Sequence, residues 1–308
     1  MVSSLFQPLT GFAQSISKSQ LFRNHTVAFG VVAALSAPVL YIAHADYKAW
    51  LSLGKGGLPY NAFGWLIQLA LTPLRAPRFD TSCYGNARIV AKAGPAGTKA
   101  YLSAEDVPER QGRPAIYPWI LPHRQADSFA SEEWKIVSPL SASIVSLEFL
   151  SIILPPKSKQ RNFSNPLLPS FPRDIRLTLS PQRVGKFLSI LASNSPAQLK
   201  FGTSILERGG PALQIQAQIE PHPGARGTRG EIAHMHPLDG SVHVSLAPRD
   251  AKLVIDMGWG ERFGLGGTVV PVTYIMVYAP RPGAAEEREA EIVERILTAG
   301  MKFMLGEQ

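Results

Sequence analysis

Hydrophobic and polar positions divide the chain into segments of different period. From Thr26 to Ala45 the run TVAFGVVAALSAPVLYIAHA holds no Asp, Glu, Lys or Arg. About 20 helical residues span the roughly 30 Å core of a bilayer, so this run predicts a single N-terminal transmembrane helix. A cleaved signal peptide is the alternative, because Ala43-His44-Ala45 follows the apolar stretch as a small-residue cleavage site would. Lys18 and Arg23 precede the run while Lys48 and Lys55 follow it, which leaves its orientation open. A second apolar patch, Phe63 to Leu71, is too short to span. With Trp65, Arg75 and Arg78 it suits a helix at a membrane interface, and equally an ordinary buried helix. The expected organisation is an anchor over 1–45, an interfacial or linker segment over 46–80, and one domain over 81–308.

Within that domain, prolines and cations crowd the stretch near 155–182, which reads as an exposed basic insert. Ser180-Pro181 then supplies an N-cap and a first-turn proline, and Val184, Phe187, Leu188 and Leu191 share one face of a helix ending near Asn194. Leu213, Ile215, Ala217 and Ile219 alternate with glutamines, the period of a half-buried strand over 212–219. Glu231–His236 and Ser241–Ala247 flank Pro237-Leu238-Asp239-Gly240 and predict a β-hairpin. A helix over Arg249–Met257 stops at Gly258, a strand covers Val272–Ala279, and Ile292, Val293, Ile296, Leu297, Met301 and Met304 stripe a final helix over Ala284–Leu305. Short helices between strands that pair through tight turns argue for an α+β fold, a largely antiparallel sheet with helices packed on one face.

Composition narrows the function. The chain has 308 residues, 45% hydrophobic and 18% charged, enough to bury a sizeable core. A lone cysteine, Cys83, excludes a disulfide framework and a thiolate metal cluster. The net charge of +8 is dispersed and accompanies no nucleic-acid-binding motif, so the expected partners are membrane lipid and a small acidic substrate, with no nucleic acid and no protein partner. No glycine-rich phosphate loop follows a strand; Gly264-Leu265-Gly266-Gly267 alone is a weak signal.

The hairpin carries the candidate chemistry. Residues two apart on a strand point the same way, so His234 and His236 share a face, and the partner strand adds His243. A turn of even length brings all three imidazoles together and leaves Ala233, Met235, Val242, Val244 and Leu246 on an apolar face. An odd turn would mix valines with histidines, so the convergent register is expected. Three imidazoles on one face serve as a base or as metal ligands. Glu231 falls on the opposite face by strand parity, so a metal site would have to recruit Asp239 or the distant Glu207.

His234-Met235-His236, His243, Gly258-Trp259-Gly260-Glu261-Arg262 and Tyr278-Ala279-Pro280-Arg281 together resemble the fungal luciferase domain. Weaker similarity runs through Thr203-Ser204 with Glu207, Gly112-Arg113-Pro114, Arg124-Gln125 and Asp46-Tyr47, and covers most of the chain except the basic insert. The resemblance implies a membrane-associated enzyme that adds O₂ to 3-hydroxyhispidin, a hydroxylated pyrone, with loss of CO₂ and emission of light, and it implies no organic cofactor or metal. Phe263-Gly264 stands where mushroom luciferases have His-Pro, and the turn after His236 is one residue shorter.

These readings combine into a membrane-anchored, cofactor-independent oxygenase acting on a hydroxypyrone or related polyketide, in a membrane such as the endoplasmic reticulum, with O₂ as co-substrate and little or no light. His234, His236 or His243 is the expected base, Arg262 the holder of the enolate oxygen, and Trp259, Tyr274 and Tyr278 the stacking surface, with Glu261, Arg281 and Arg113 as further substrate contacts. The alternatives are a metal-dependent hydrolase or dioxygenase using the histidine face, and a non-catalytic membrane-associated binding protein.

Overall fold

The computed structural model describes residues 36–126 and 179–307, together with His25. Most of the basic insert and the first part of the expected membrane helix, residues 26–35, lie outside the described residues. The chain divides into two compact units, Met1–Lys48 and Ala49–Gln308. Residues 36–48 of the first are helical. Among the described residues no helix is long and apolar enough to cross a membrane.

The second unit is α+β. Its strands β1 (Leu199–Thr203), β2 (Pro211–Ile215), β3 (Glu231–Met235), β4 (Val242–Ser245), β5 (Gly260–Arg262) and β6 (Tyr274–Val277) form one six-stranded sheet in the order β1-β2-β3-β4-β6-β5. Every neighbouring pair is antiparallel. β2 ends at Ile215, four residues before the expected end, because the chain turns at Gln216, whose carbonyl accepts the Ile219 N–H. Both edge strands escaped the hydrophobic pattern. β5 has three residues, too few to show a period, and β1 exposes Phe201 and Lys200 as edge strands do.

Helices α1 (Ala62–Leu71), α2 (Leu179–Asn194), α3 (Pro248–Asp256) and α4 (Glu286–Leu305) follow the expected segments closely. α4 starts with Glu286, Glu287 and Glu289 at the positive end of its dipole and stops at Gly306, which adopts the left-handed conformation at φ 69°. Its stripe Ile292, Val293, Ile296, Leu297, Phe303 and Met304 joins one core with Val184 and Leu188 of α2, Val254 of α3, and one face of the sheet, Ala233, Met235, Val242, Val244, Ile275 and Val277. Burying each such side chain contributes about 1.5–3 kcal/mol, so this layer is the main source of stability.

Among the described residues the opposite face of the sheet carries no comparable helical layer. A smaller cluster of Ile120, Phe263, Leu265 and Tyr274 covers part of it, with Leu121 and Leu206 from irregular segments and Leu71 at the end of α1 packed alongside. α1 buries only Gly64 and Gln68 and leaves Phe63 and Leu66 exposed, so it is neither a fully buried helix nor a solvated one.

α4 lies flat on β4 because Gly300 has no side chain there. A Cβ at position 300 would sit 2.5 Å from Val244 Cγ2 and 3.0 Å from the Ser245 carbonyl oxygen. Gly300→Val is therefore expected to push the helix off the sheet and lower unfolding free energy by about 1–3 kcal/mol or more. Gly202→Ala, whose Cβ meets nothing within 4 Å, should stay within about 0.5 kcal/mol of the native chain. Urea unfolding of the two variants checks the contrast.

Candidate functional site

The hairpin places its imidazoles as the amphipathic pattern requires. His234 pairs directly with His243, and Met235 with Val242. Four residues, Pro237 to Gly240, connect the strands; the His236 N–H donates to Ser241 O at 2.9 Å and the Gly240 N–H to His236 O at 2.8 Å. Gly240 turns the chain at φ 73°. The rings of His234, His236 and His243 lie 4.9–5.2 Å apart, all fully buried on the face away from α4.

Glu231 departs from the parity expectation. Leu213 pairs with Ala233 but Gln214 pairs with Glu231, so Ile232 is an extra residue in a β-bulge. Ile232 and Ala233 both enter the hydrophobic core, and Glu231 turns to the histidine face. Its carboxylate accepts from Ser204 Oγ at 3.0 Å, from the Ile205 N–H at 2.6 Å and from His234 Nδ1 at 2.6 Å.

These partners decide which nitrogen of each ring carries the proton. A carboxylate that already takes two donors makes His234 Nδ1 a donor. His243 Nδ1 lies 3.2 Å from the Ile275 carbonyl oxygen, which can only accept. Ser241 Oγ gives its proton to Asp239 Oδ1 at 2.7 Å, so His236 Nδ1, 2.8 Å away, donates to Ser241. With every Nδ1 donating, each neutral ring turns an Nε2 lone pair inward. None of the three Nε2 atoms has a hydrogen-bond partner among the described residues.

They converge on Glu207. The segment Ser204–Gly210 between β1 and β2 folds over the sheet: Ser204 Oγ accepts the Glu207 N–H at 3.0 Å, and the Ser204 N–H donates to Gly210 O at 3.1 Å. This brings the Glu207 carboxylate 3.6 Å from His234 Nε2, 3.5 Å from His236 Nε2 and 4.0 Å from His243 Nε2. Arg124 grips the same carboxylate at 2.7 Å and also donates to Lys55 O at 3.0 Å.

The electrostatics follow from that crowding. Burial opposes ionisation of Glu207, but Arg124, His236 and His234 outweigh it and hold the carboxyl well below its usual range. Burial likewise works against an imidazolium at His234, yet Glu207 and Glu231 together raise its pKa to about 9. His243 is pushed the other way, well below 6.5, by burial and by its neighbours His236, His234 and His123. The face thus attracts positive charge at its centre and resists it at His243.

A second group adjoins the first. His123 Nε2 donates to Glu261 Oε1 at 2.7 Å, and the Tyr278 hydroxyl donates to Glu261 Oε2 at 3.0 Å. Burial would raise the Glu261 pKa, but the His123 and Arg78 contacts lower it. The His123 ring lies 5.4 Å from His243 and 5.6 Å from Phe263, and Phe263 in turn lies 5.1 Å from His243 and 5.4 Å from Tyr274. Phe263 therefore packs against both imidazoles where the two groups meet. Tyr274 stacks on His243 at 5.0 Å with an interplanar angle of 14°. A narrow crevice lined by Arg75, Arg78, Trp119, His123, Glu261 and Arg262 lies beside this group, with a volume of about 10 Å³.

The other expected site residues are placed differently. Trp259 is a core side chain whose Nε1–H donates to Pro108 O at 2.6 Å, with the Arg110 guanidinium 5.2 Å above its ring. Arg113 donates to Ile255 O at 2.9 Å and covers Phe79. Arg281 is held by Glu289 and the Gln111 carbonyl. Arg262 lines the crevice and reaches Asp80 O at 3.3 Å. The structure thus joins His234, His236 and His243 with Tyr274, links Glu261 and Tyr278 to them through His123, and gives Trp259, Arg113 and Arg281 packing and ion-pair roles.

Removing the Glu231 carboxylate leaves the Ser204 hydroxyl, the Ile205 N–H and His234 Nδ1 buried without an acceptor. Glu231→Ala should cost about 3–5 kcal/mol of stability, and Ser204→Ala about 1 kcal/mol. Thermal and urea unfolding of both variants measure the difference.

Residues 229–300, which contain the hairpin, β5, β6 and most of α4, match the family model of the Luciferase domain. Over 98% of its length the chain is 28% identical to a luciferase of Neonothopanus nambi, covering 93% of that protein. It is 28% identical to a luciferase of Armillaria ostoyae over 92% of this chain and 89% of the relative. A luciferase of Armillaria gallica is 39% identical over 90 residues, 28% of this chain and 32% of the relative. No solved structure matches the chain. The histidine hairpin, with β5 and β6, thus lies in the stretch that matches the Luciferase domain, in a chain that resembles the mushroom luciferases along nearly its whole length.

Proposed function

We propose that this chain is a luciferase-like oxygenase that removes a proton from a hydroxypyrone or related polyketide and adds O₂ to the resulting enolate. The observation that carries the reading is a buried imidazole and carboxylate face on the hairpin that matches the Luciferase domain, adjoined by His123 and Glu261 in a crevice rimmed with guanidinium groups. The similarity to proteins named luciferases supports the same class.

The chemistry needs a base, a cation for the developing enolate oxygen, and exclusion of water. The three hairpin imidazoles were the expected bases, but their Nδ1 atoms are committed to Glu231, Ser241 and Ile275 and their Nε2 atoms face Glu207. His123 suits the task better. Its Nε2–H is fixed by Glu261, so Nδ1 keeps the lone pair, and no described residue hydrogen-bonds to that atom. Glu261 orients the ring and stabilises the imidazolium once His123 holds the substrate proton. Arg262 and Arg78 at the crevice supply positive charge for the enolate oxygen. The enolate then gives two electrons to O₂ as its carbon forms a bond to oxygen, leaving a carbon-bound peroxide and the proton on His123. No organic cofactor enters this sequence.

At about 10 Å³ the crevice has room for about one water, far below the roughly 300–1,000 Å³ of small-molecule sites. Substrate entry therefore requires the lining side chains to move apart. Phe263, packed against both His123 and His243, keeps this wall apolar.

Oxygen uptake by the purified full-length chain against a panel of hydroxypyrones is the test. His123→Gln and Glu261→Gln should lower kcat by about 10²–10⁴-fold with smaller effects on KM. No uptake above buffer for any pyrone would remove the reading. With 3-hydroxyhispidin the native chain is expected to emit little or no light and Phe263→His more; bright emission by the native chain would show that position 263 does not limit light output.

The N-terminal membrane anchor belongs to the same proposal. The full chain should sediment with membranes and a chain lacking residues 1–45 should be largely released, whereas a full-length chain found wholly in the supernatant removes the anchor.

A further inference from the structure

We propose that Glu207, His234, His236 and His243 bind one divalent first-row transition metal ion through three imidazole Nε2 atoms and a carboxylate oxygen. The site goes beyond the oxygenase reading and does not depend on which reaction the chain performs. From the sequence a metal site would have to recruit Asp239 or the distant Glu207, and the Ser204–Gly210 segment brings Glu207 in.

Geometry comes first. The four donor atoms lie within 4.8 Å of one another, the one such group of histidine, cysteine or acidic side chains among the described residues. The separations of 3.5–4.0 Å between the Nε2 atoms and Glu207 are too long for hydrogen bonds. They match two donors sharing an ion: with bonds of about 2.1 Å, ligands stand about 3.0 Å apart at a right angle and about 4.2 Å apart across the ion.

Proton placement agrees with this. The three Nε2 atoms face one carboxylate, and a positive charge among them, a proton on His234 or a metal ion shared by all four groups, relieves the crowding. Each Nδ1–H is already donated outward, to a carboxylate, a hydroxyl and a backbone carbonyl, the outer partners that orient metal-binding histidines and fix their tautomer. Arg124 holds the Glu207 carboxylate in the same way.

Charge agrees as well. Glu207, Glu231 and Asp239 bring three carboxylates to the cluster and its hydrogen-bonded surround, and Arg124 is the guanidinium that answers them. With the three imidazoles neutral, as metal ligands are, the remaining charge is about −2, the complement of one divalent ion. Glu261, by contrast, has Arg78 and His123 of its own. Three imidazoles select zinc, iron, cobalt or nickel over calcium and magnesium, which prefer oxygen ligands. With all four ligands buried, a bound ion is sealed from solvent.

The test is metal content of the purified, folded full-length chain by mass spectrometry, and the visible spectrum after growth with cobalt. About one equivalent of transition metal per chain is expected, with the cobalt bands of nitrogen and oxygen ligation. His243→Ala and Glu207→Ala should retain under about one tenth of that metal. Ser241→Ala, which leaves all four ligands in place, should weaken cobalt binding about 10–100-fold, while His222→Ala, outside the cluster, should keep the full equivalent. A native chain that purifies folded with neither metal nor cobalt bands overturns the proposal, as does undiminished metal in folded Glu207→Ala. If the ligand variants do not fold, native stoichiometry and Ser241→Ala decide. These readouts use no substrate, so they stand or fall apart from oxygen uptake.

Discussion

Three imidazole lone pairs and one carboxylate facing each other in a dry interior form the constraint around which the rest of this unit is arranged. Such a set requires positive charge at its centre, and every member of it is buried. The protein answers with an outer ring of fixed partners. Glu231, Ser241 and Ile275 each hold one Nδ1, and Arg124 holds Glu207.

Each irregularity of the fold near the site serves that ring. The bulge at Ile232 rotates Glu231 onto the histidine face while sending an extra apolar side chain to the core. The four-residue turn at Pro237–Gly240 keeps His243 opposite His234 and places Asp239 where it orders Ser241. Ser204 both caps the turn that delivers Glu207 and donates to Glu231, so one hydroxyl couples two carboxylates. The regular layer of α2, α3 and α4 on the other face supplies stability that these irregular segments do not.

That division explains what the sequence disclosed. Helices, the hairpin and its register were legible because amphipathic segregation leaves few solutions: only an even turn separates Val242 and Val244 from His243. Glu231 was misplaced because a bulge is a one-residue slip with no period of its own. His123 was missed because its partner Glu261 is 138 residues away and a lone histidine in a proline-flanked loop carries no pattern. Glu207 gave one local sign, the Ser-x-x-Glu spacing of a capping turn, which says that the turn forms but not where its carboxylate points. Trp259 and Tyr278 were expected at a substrate because aromatic residues near a motif suit both packing and binding. Their burial beside Arg110 separates those roles in a way that composition does not.

The central claim is that the hairpin face presents three Nε2 atoms and Glu207 to one shared cation. Anomalous diffraction from crystals of the purified chain, recorded on both sides of the absorption edge of whichever transition metal it carries, tests this most directly. The account predicts a single anomalous peak about 2.0–2.2 Å from His234, His236 and His243 Nε2 and from a Glu207 oxygen. An ordered water or imidazole-to-carboxylate hydrogen bonds at that point, with no anomalous signal, would contradict it.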